Sequence, residues 1–290
     1  MKHAKLLPFA FLFAVIGCFL CIRFNASVGA HSDRLLKRYA VIVPTDTIGQ
    51  NLQLSEGLSA ASEELHVYIR FLEVSSFEEQ KAEVDKALLS GFDGILLCPM
   101  DNGPEGLDML DTIRRQGVGL VTLLNRISDD VPCIASAQSV GRQAALEFLS
   151  VASDPENIYI LIGDQQNIVY QNRASAFSDC LAQNGISVSG TLALNIDIVS
   201  STDQVEDYIL ENQIRYLFCT DAASTASAVR YLDSSLFTSP GIIGCDDPYV
   251  SGEYFDATLP DALIRTDYYE IGYEGALLLD RLTQNEEDSL

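Results

Sequence analysis

Residues 92–101 read FDGILLCPMD and combine an unbroken apolar run with a proline and then a carboxylate. The run from Ile95 to Cys98 has no polar alternation, which is typical of a parallel strand buried on both faces. Pro99 stops the strand, and Asp101 follows in the loop at its carboxyl end. A similar design recurs at residues 215–221, RYLFCTD, where an apolar strand ends in cysteine and an aspartate follows two residues later. Two strands of one design predict two lobes of one design.

The segments around these strands alternate between strand and helix patterns. Leu54, Leu58, Ala61 and Leu65 share one helix face, and the serines at 75 and 76 each precede a glutamate by three residues, as in a capping box. From residue 39 to 124 we predict the order β-α-β-α-β-α-β. After a crossover at 133–137 the alternation resumes, with a helix near 173–183, a strand at 186–194 and a last helix at 271–282 that returns to the first lobe.

The predicted fold class is therefore α/β, with two similar doubly wound parallel-sheet lobes joined by a hinge. The length of 290 residues also favours two domains over one. The expected boundaries are a signal peptide or membrane anchor at 1–24, a linker at 25–38, an N-terminal lobe at 39–136, a C-terminal lobe at 137–266 and a return to the N-terminal lobe at 267–290.

The charge of the chain is strongly acidic, with 41 acidic and 18 basic residues. Three of the basic residues and none of the acidic ones lie in the first 30 residues, so the rest of the chain has a formal charge of −26. Such a surface repels phosphate backbones and anionic membranes. Nucleic acid is therefore excluded as an expected partner.

The N-terminus carries the features of an export segment. Lys2 and Lys5 precede an apolar run over residues 6–22, which is long for a signal-peptide core and slightly short for a spanning helix. Three outcomes stay open: lipidation at Cys18 within the box VIGC, ordinary cleavage after the small residues near Ala30, or an uncleaved anchor. The rest of the chain is expected to be extracytoplasmic and membrane-attached, in the cell envelope of a bacterium.

Seven cysteines show no framework-like spacing. Cys18 and Cys21 lie inside the apolar segment, where neither a redox site nor zinc is expected. Three others, at 98, 219 and 245, end apolar strands and are interpreted as buried free thiols, with a disulfide as the alternative.

Polar side chains collect at the predicted carboxyl ends of the strands, where ligands of open parallel sheets bind. Carboxylates, hydroxyls and a guanidinium around one cleft suit a hydroxyl-rich ligand, because each buried hydroxyl needs hydrogen-bond partners. The candidate ligand-binding residues are Asp46, Asp101, Arg173, Thr220, Asp221, Asp246 and Thr266.

Several motifs, taken in order, resemble type I periplasmic binding proteins of the ribose-binding class, which share their fold with the effector domain of lac-repressor-type regulators. The motifs are residues 92–101, 121–126 (VTLLNR), Arg173 four residues before Phe177, Thr220-Asp221, 243–246 (IGCD) and Ile271-Gly272. The resemblance covers residues 39–282. It implies that Asp101, Arg173, Asp246, Thr220 and Thr266 hydrogen-bond a sugar while the lobes close around it.

Two departures from that family concern the ligand. Family members carry aromatic residues after the first strand that stack on the sugar, whereas residues 47–51 here read TIGQN. Tyr170, Tyr249 and Tyr268 are the candidates to replace this stacking platform. Asn125 stands where aspartate is common, which removes a charge from the cleft.

Enzyme interpretations have less support. Residues 137–141, AQSVG, resemble a nucleophile elbow, but that arrangement needs a histidine base, and His66 is the only histidine after residue 31. Neither a dinucleotide motif nor a phosphate-binding loop occurs, so no cofactor or metal is expected. A glycosidase built from Asp101 and Asp246 is a remote alternative.

The sequence therefore predicts an extracytoplasmic solute-binding protein that captures a small polar ligand, a sugar or polyol, and has no enzymatic activity. Its expected partner is an ABC permease. The alternative partner is a membrane sensor kinase, with the chain acting as a tethered ligand sensor.

Overall fold

The structure is a computed structural model that describes residues 36–45, 50–194, 198–234, 239–246 and 260–287. The predicted signal peptide or anchor, with Cys18, lies outside the described residues. So do two of the candidate site residues, Asp46 and Tyr249. Among the described residues, no helix combines the length and the apolarity that a membrane span requires.

Strands and helices alternate through the described ranges. The strands are β1 Arg38–Pro44, β2 Tyr68–Val74, β3 Gly94–Leu97, β4 Gly119–Leu123, β5 Cys133–Ile134, β6 Ile158–Ile162, β7 Gly190–Ala193, β8 Tyr216–Cys219, β9 Gly241–Cys245 and β10 Ala262–Ile264. The helices are α1 Gln50–Leu65, α2 Phe77–Leu89, α3 Pro104–Arg115, α4 Ala137–Val151, α5 Ile168–Gln183, α6 Ile198–Asn212, α7 Ala222–Ser234 and α8 Tyr268–Glu287.

The strands form two five-stranded sheets whose described pairings are all parallel. The first sheet has the order β2-β1-β3-β4-β5, and the second has the order β10-β9-β8-β6-β7. In each sheet the chain starts near the middle, moves to one edge and then crosses back, as in doubly wound folds. The predicted α/β class with two parallel-sheet lobes is confirmed.

Strand β3 is buried on both faces, as its unbroken apolar run predicts. Leu96 packs into a core that contains residues of α1 and α8, whereas Ile95 and Leu97 pack into a second core with α2 and α3. Strand β8 repeats this arrangement in the second sheet, where Phe218 stacks on Phe177 of α5 with ring centroids 4.1 Å apart.

One pair of helices packs on one face of each sheet. The two helices of each pair approach each other closely at a glycine. In the first lobe, a Cβ at Gly57 of α1 would lie 2.0 Å from the Tyr269 carbonyl oxygen of α8. In the second, a Cβ at Gly141 of α4 would lie 2.2 Å from the Arg173 carbonyl oxygen of α5. Only glycine permits these approaches, so Gly141 helps to fix the position of Arg173. Helix α8 thus packs on the first lobe although it follows the second in sequence.

The capping box at the start of α2 is present. The Ser76 hydroxyl accepts a hydrogen bond from the Glu79 amide at 3.2 Å, and the Glu79 carboxylate accepts one from the Ser75 amide at 2.8 Å. These hydrogen bonds from Ser75 lower the pKa of the Glu79 carboxyl.

Several element boundaries differ from the prediction, and the last helix, for example, extends beyond the predicted 271–282 at both ends. Helix α5 begins at Ile168, five residues before the predicted start, because the Asn167 side chain caps it by accepting from the Val169 amide at 3.0 Å. The strand predicted at 186–194 is reduced to β7. The crossover at 133–137 includes β5, a short edge strand that pairs with Thr122 and Leu123 of β4.

Candidate functional site

Arg173 and Asp246 form an ion pair at the carboxyl end of the second sheet. Asp246 directly follows β9, Arg173 comes from the second turn of α5, and Nη1 of the arginine lies 2.6 Å from Oδ2 of the aspartate. Both side chains are buried, with 0% and 3% of their surfaces exposed. Burial is the largest single influence on the pKa of Arg173 and lowers it, but the charge of and hydrogen bond to Asp246, together with Tyr268 and Cys245, more than offset it and hold that pKa well above its ordinary value.

Two threonines also accept hydrogen bonds from the Arg173 guanidinium, whereas its buried Nε has no partner within the described residues. Nη1 donates to the Thr220 carbonyl oxygen at 2.9 Å, and Nη2 donates to the Thr266 hydroxyl at 3.3 Å. The structure therefore brings together four of the predicted site residues, one from α5 and one each from the segments that follow β8, β9 and β10. The guanidinium orients Asp246 and Thr266 without itself lining the cavity described below.

Asp246 has spare hydrogen-bonding capacity. Its Oδ2 also accepts from the Tyr268 hydroxyl at 3.1 Å and, over a longer 3.4 Å, from the Gln50 amide of the first lobe. Its Oδ1 is buried and has no hydrogen-bond partner within the described part of the chain. A buried acceptor without a donor costs about 1–3 kcal/mol, so a donor from a ligand would recover that free energy.

The backbone at Asp246 adds to this cost. Its φ of 60° is in the left-handed region, which aspartate tolerates better than most residues but which is uncommon outside glycine. Unfavourable backbone conformations tend to occur at functional sites, where the surrounding structure enforces them.

A cavity of about 470 Å³ opens on Asp246, a size that suits a small ligand. Among the described residues, most of those that line it carry polar groups, and they come from the start of α1, the end of β9, the start of α7 and the segment that leads from β10 into α8. The lining residues are Gln50, Gln53, Glu56, Ala222, Asp246, Arg265, Thr266, Asp267, Tyr268 and Tyr269.

Asp101 and Asp221 occupy a different kind of position. Oδ2 of Asp101 accepts from the amides of Gly103 and Gly106, at 3.0 and 2.9 Å, and so holds the start of α3. Asp221 accepts from the Ser224 amide at 3.0 Å and the Gly163 amide at 2.8 Å. Each aspartate thus supports the backbone of its own lobe, which is the usual role of an aspartate that precedes a helix.

The side chain of Thr220 also bonds within the protein. Its hydroxyl lies 2.8 Å from the Asp221 carboxylate and 3.3 Å from the Leu161 carbonyl oxygen. Thr220 therefore supports the site through its carbonyl oxygen, which accepts from Arg173.

The tyrosines near the site contact the ion pair. The ring of Tyr170 lies 5.8 Å from the Arg173 guanidinium carbon, within the range of a cation–π contact. Tyr268 lines the cavity, and burial, reinforced by the charge of Asp246, raises its pKa well above the ordinary value. Of the two, only Tyr268 borders the space where a ligand could stack.

Sequence reasoning missed a group of amides that joins the two lobes. The Asn125 amide donates to Asn102 at 3.0 Å, Asn102 donates to Asn172 at 3.1 Å, and Asn172 donates to Asn125 at 2.6 Å. These three side chains form a closed ring, which we call the amide ring. Asn125 at the end of β4 was the available signal, but its partners are 23 and 47 residues away.

Gln50 and Gln53 were also missed. They lie in the first turn of α1, directly after residues 46–49, which fall outside the described part of the chain. Glutamine at the start of a helix is common on protein surfaces, and no spacing rule distinguishes a cavity residue from a solvated one.

The cysteines of the described ranges are free thiols, as interpreted from their positions in apolar strands. Four are buried, at 98, 180, 219 and 245, and Cys133 is half-buried. Burial raises the pKa of Cys98 to about 12 and also raises the pKa of Cys219 and Cys245. Within the described residues no cluster of His, Cys, Asp or Glu side chains could hold a metal ion.

A model of the periplasmic binding protein domain matches residues 39–287 of the sequence. The chain belongs to the periplasmic binding protein family. This membership implies an extracytoplasmic location. No curated protein matches the sequence significantly.

Solved structures of this family share the fold. A periplasmic sugar-binding protein of an ABC sugar transporter from Legionella pneumophila aligns with a TM-score of 0.67 and 16% identity, over 84% of this chain and 94% of that one. An ABC transporter solute-binding protein from Burkholderia graminis, in complex with D-arabinose, aligns with a TM-score of 0.68 and 14% identity, over 87% and 91%. An ABC transporter solute-binding protein from Clostridium phytofermentas with bound L-rhamnose aligns with a TM-score of 0.69 and 16% identity, over 86% of this chain and 82% of that one.

Proposed function

We propose that this chain is an extracytoplasmic solute-binding protein that captures a small hydroxyl-rich ligand, a sugar or polyol, and delivers it to an ABC importer. The observation that carries the proposal is the buried Oδ1 of Asp246, which has no partner among the described residues and lies beside a cavity of about 470 Å³. Two of the similar structures, which contain bound D-arabinose and L-rhamnose, support the same ligand class.

The chemistry of the cavity suits hydroxyl groups. A sugar hydroxyl donates to one group and accepts from another, and the lining offers both kinds. Asp246 accepts, the amides of Gln50 and Gln53 donate and accept, and Thr266 carries a hydroxyl. Because Arg173 neutralises Asp246, a neutral ligand does not have to bring a counter-charge of its own.

We infer binding rather than hydrolysis. A two-carboxylate glycosidase needs one carboxyl group to act as acid and a second to act as base or nucleophile. Asp246 is held by Arg173, and Asp101 is hydrogen-bonded to the backbone of its own helix. Neither arrangement presents a pair of carboxyl groups to one bond of a substrate.

A thermal-shift screen with pentoses, hexoses, deoxyhexoses and polyols tests the proposal. A sugar at about 100 times its dissociation constant adds about 2.7 kcal/mol of stability, which raises the melting temperature by several degrees. Asp246→Asn is isosteric and should reduce the affinity of any hit by at least tenfold. Asp179→Asn, which removes an exposed charge from the same helix as Arg173, is the matched control and should not change it.

Because Asp246→Asn also leaves Arg173 without its charge partner, Tyr268→Phe is the second variant. It keeps the ring and removes the hydroxyl that donates to Asp246, so we expect weaker binding with a fold that stays intact. Unchanged affinity in both variants would place the ligand elsewhere. If no compound of the panel stabilises the protein, the sugar-capture proposal fails.

A further inference from the structure

The amide ring is a polar connection between the lobes that does not involve the ion-pair site. Asn102 and Asn125 follow β3 and β4 of the first sheet, and Asn172 lies on α5 of the second lobe. Two of the three ring hydrogen bonds therefore cross between the lobes, at 3.1 and 2.6 Å. They are shorter than the other described crossing contact at the site, Gln50 to Asp246 at 3.4 Å.

The geometry of the ring is self-contained. Each amide donates to the next and accepts from the previous one, so no side chain of the ring needs a ligand to satisfy it. Hydrogen bonds in such a closed sequence polarise one another and strengthen together. A second bond from Asn125, to the Pro99 carbonyl oxygen at 2.8 Å, fixes the buried member of the ring in the first lobe.

The identity of residue 125 is decisive for this arrangement. Asn125 uses its Nδ2 to donate to both Asn102 and Pro99 and its Oδ1 to accept from Asn172. An ionised aspartate at this position could only accept, so it would break two of these three bonds. The asparagine therefore has a role that a charged residue could not fill.

We propose that Asn102, Asn125 and Asn172 act as a latch that holds the two lobes together in the absence of ligand. They are positioning residues: they keep Gln50 and Gln53 of α1 opposite Asp246, so that the cavity is already assembled. The cavity rim includes Glu56 and Asp267, both exposed, so a ligand can reach the latched form. The latch itself does not require the proposed sugar ligand, and only its effect on affinity rests on the proposed function.

Distances between spin labels on the two lobes test the latch without any ligand. Leu89 on α2 and Leu146 on α4 are exposed, one on each lobe, and Leu89→Cys and Leu146→Cys provide the label sites in the full-length chain. A sample without the introduced cysteines measures the background from native thiols. With the ring intact we expect one dominant short distance by pulsed electron resonance.

Asn172→Asp and Asn102→Asp keep the shape of the side chain but remove one crossing donor each. Because one hydrogen bond changes an equilibrium by about three- to tenfold, each variant should increase the ratio of long to short distances by that factor. Asn102 is exposed, so its variant should fold even if the other is impaired. Gln171→Glu is the matched control: it adds the same charge at the neighbouring residue, whose amide contacts the Gln165 carbonyl within its own lobe.

The latch is wrong if the folded Asn102→Asp protein has the same distance distribution as the control, or if the wild-type protein is mainly open without ligand. Either result leaves sugar capture at Asp246 untouched. For a sugar found in the thermal-shift screen, affinity should fall by the same factor as the latched population, because only that population presents the assembled cavity.

Discussion

The carboxyl ends of the two sheets differ in where their polar side chains are directed. In the first lobe, Asp101 holds the start of a helix and Asn125 joins a ring of neutral amides. In the second, Arg173 and Asp246 form a buried ion pair, and one carboxylate oxygen has no partner in the part of the chain that the structure describes. Two lobes built from the same sequence pattern thus differ in their polar contacts, and in our proposal the second lobe supplies the charged group that recognises the ligand while the first supplies contact between the lobes.

Among the variants that compare the two lobes, Arg173→Met should lower the free energy of unfolding the most. The substitution leaves Asp246 buried without its counter-charge, and loss of one partner of a buried pair costs about 3–5 kcal/mol. Urea denaturation measures the free energy of unfolding. The control is Arg215→Met, because Arg215 is half-exposed and its ion pair with Asp154 is a surface one that should contribute little. Equal stability of the two variants would mean that the buried pair of Arg173 and Asp246 contributes no more to folding than the surface pair of Arg215 and Asp154.

Gly57 and Gly141 are a matched pair of interhelical glycines, one in each lobe. Gly57→Ala and Gly141→Ala each force a Cβ against a backbone carbonyl oxygen, and each should lower the free energy of unfolding by about 1–3 kcal/mol. Ligand affinity should distinguish the two variants. Gly141→Ala displaces α5 at Arg173 and should weaken binding of a sugar measured by calorimetry, whereas Gly57→Ala should do so less. The reverse order would shift the recognition role towards the first lobe.

Asp101→Ala tests the first-lobe carboxylate. Loss of a side chain that accepts from two backbone amides at a helix start should cost about 1 kcal/mol. Because Asp101 serves α3, the affinity for sugar should stay within a factor of two of wild type once the protein is folded. Asp101→Asn keeps an oxygen that can cap the helix and is the control for stability. A tenfold loss of affinity in either variant would show that the first lobe also supplies a ligand contact.

The smallest expected effect is a change in stability at alkaline pH. The pKa of Tyr268 is raised by burial and by Asp246, so the folded protein keeps this proton at a pH where the unfolded chain releases it, above about 10. Stability should therefore fall as the pH rises through this range. Tyr268→Phe should have a shallower decline of melting temperature between pH 9 and 11 than wild type. Parallel curves would contradict the assigned environment of the hydroxyl.

The fold could be predicted from sequence because its signal is local and repeated. The apolar runs of β3 and β8 and the single helix face of Leu54, Leu58 and Ala61 follow from backbone periodicity. Once the strands are placed, the carboxyl ends identify where Arg173, Asp246 and Thr266 must lie. Their mutual contacts are consistent with that position.

The hydrogen-bond partners of the polar side chains could not be predicted. Asp101 and Asp246 follow similar strands, and nothing in the neighbouring residues shows that one turns to its own helix while the other meets an arginine 73 positions earlier. The amide ring is harder still, since three neutral asparagines from distant segments leave no periodic signal. The unpartnered oxygen of Asp246 is a property of the assembled site alone.

The left-handed backbone at Asp246 restricts how this position can change during evolution. Asparagine and glycine adopt such a conformation at little cost, and one nucleotide change converts an aspartate codon into either. Every other replacement would add backbone strain to the loss of the charge. Descendants that lose the ligand should therefore carry Asn or Gly here with the turn preserved, and a population of such sequences would mark relatives that have changed their ligand while keeping their fold.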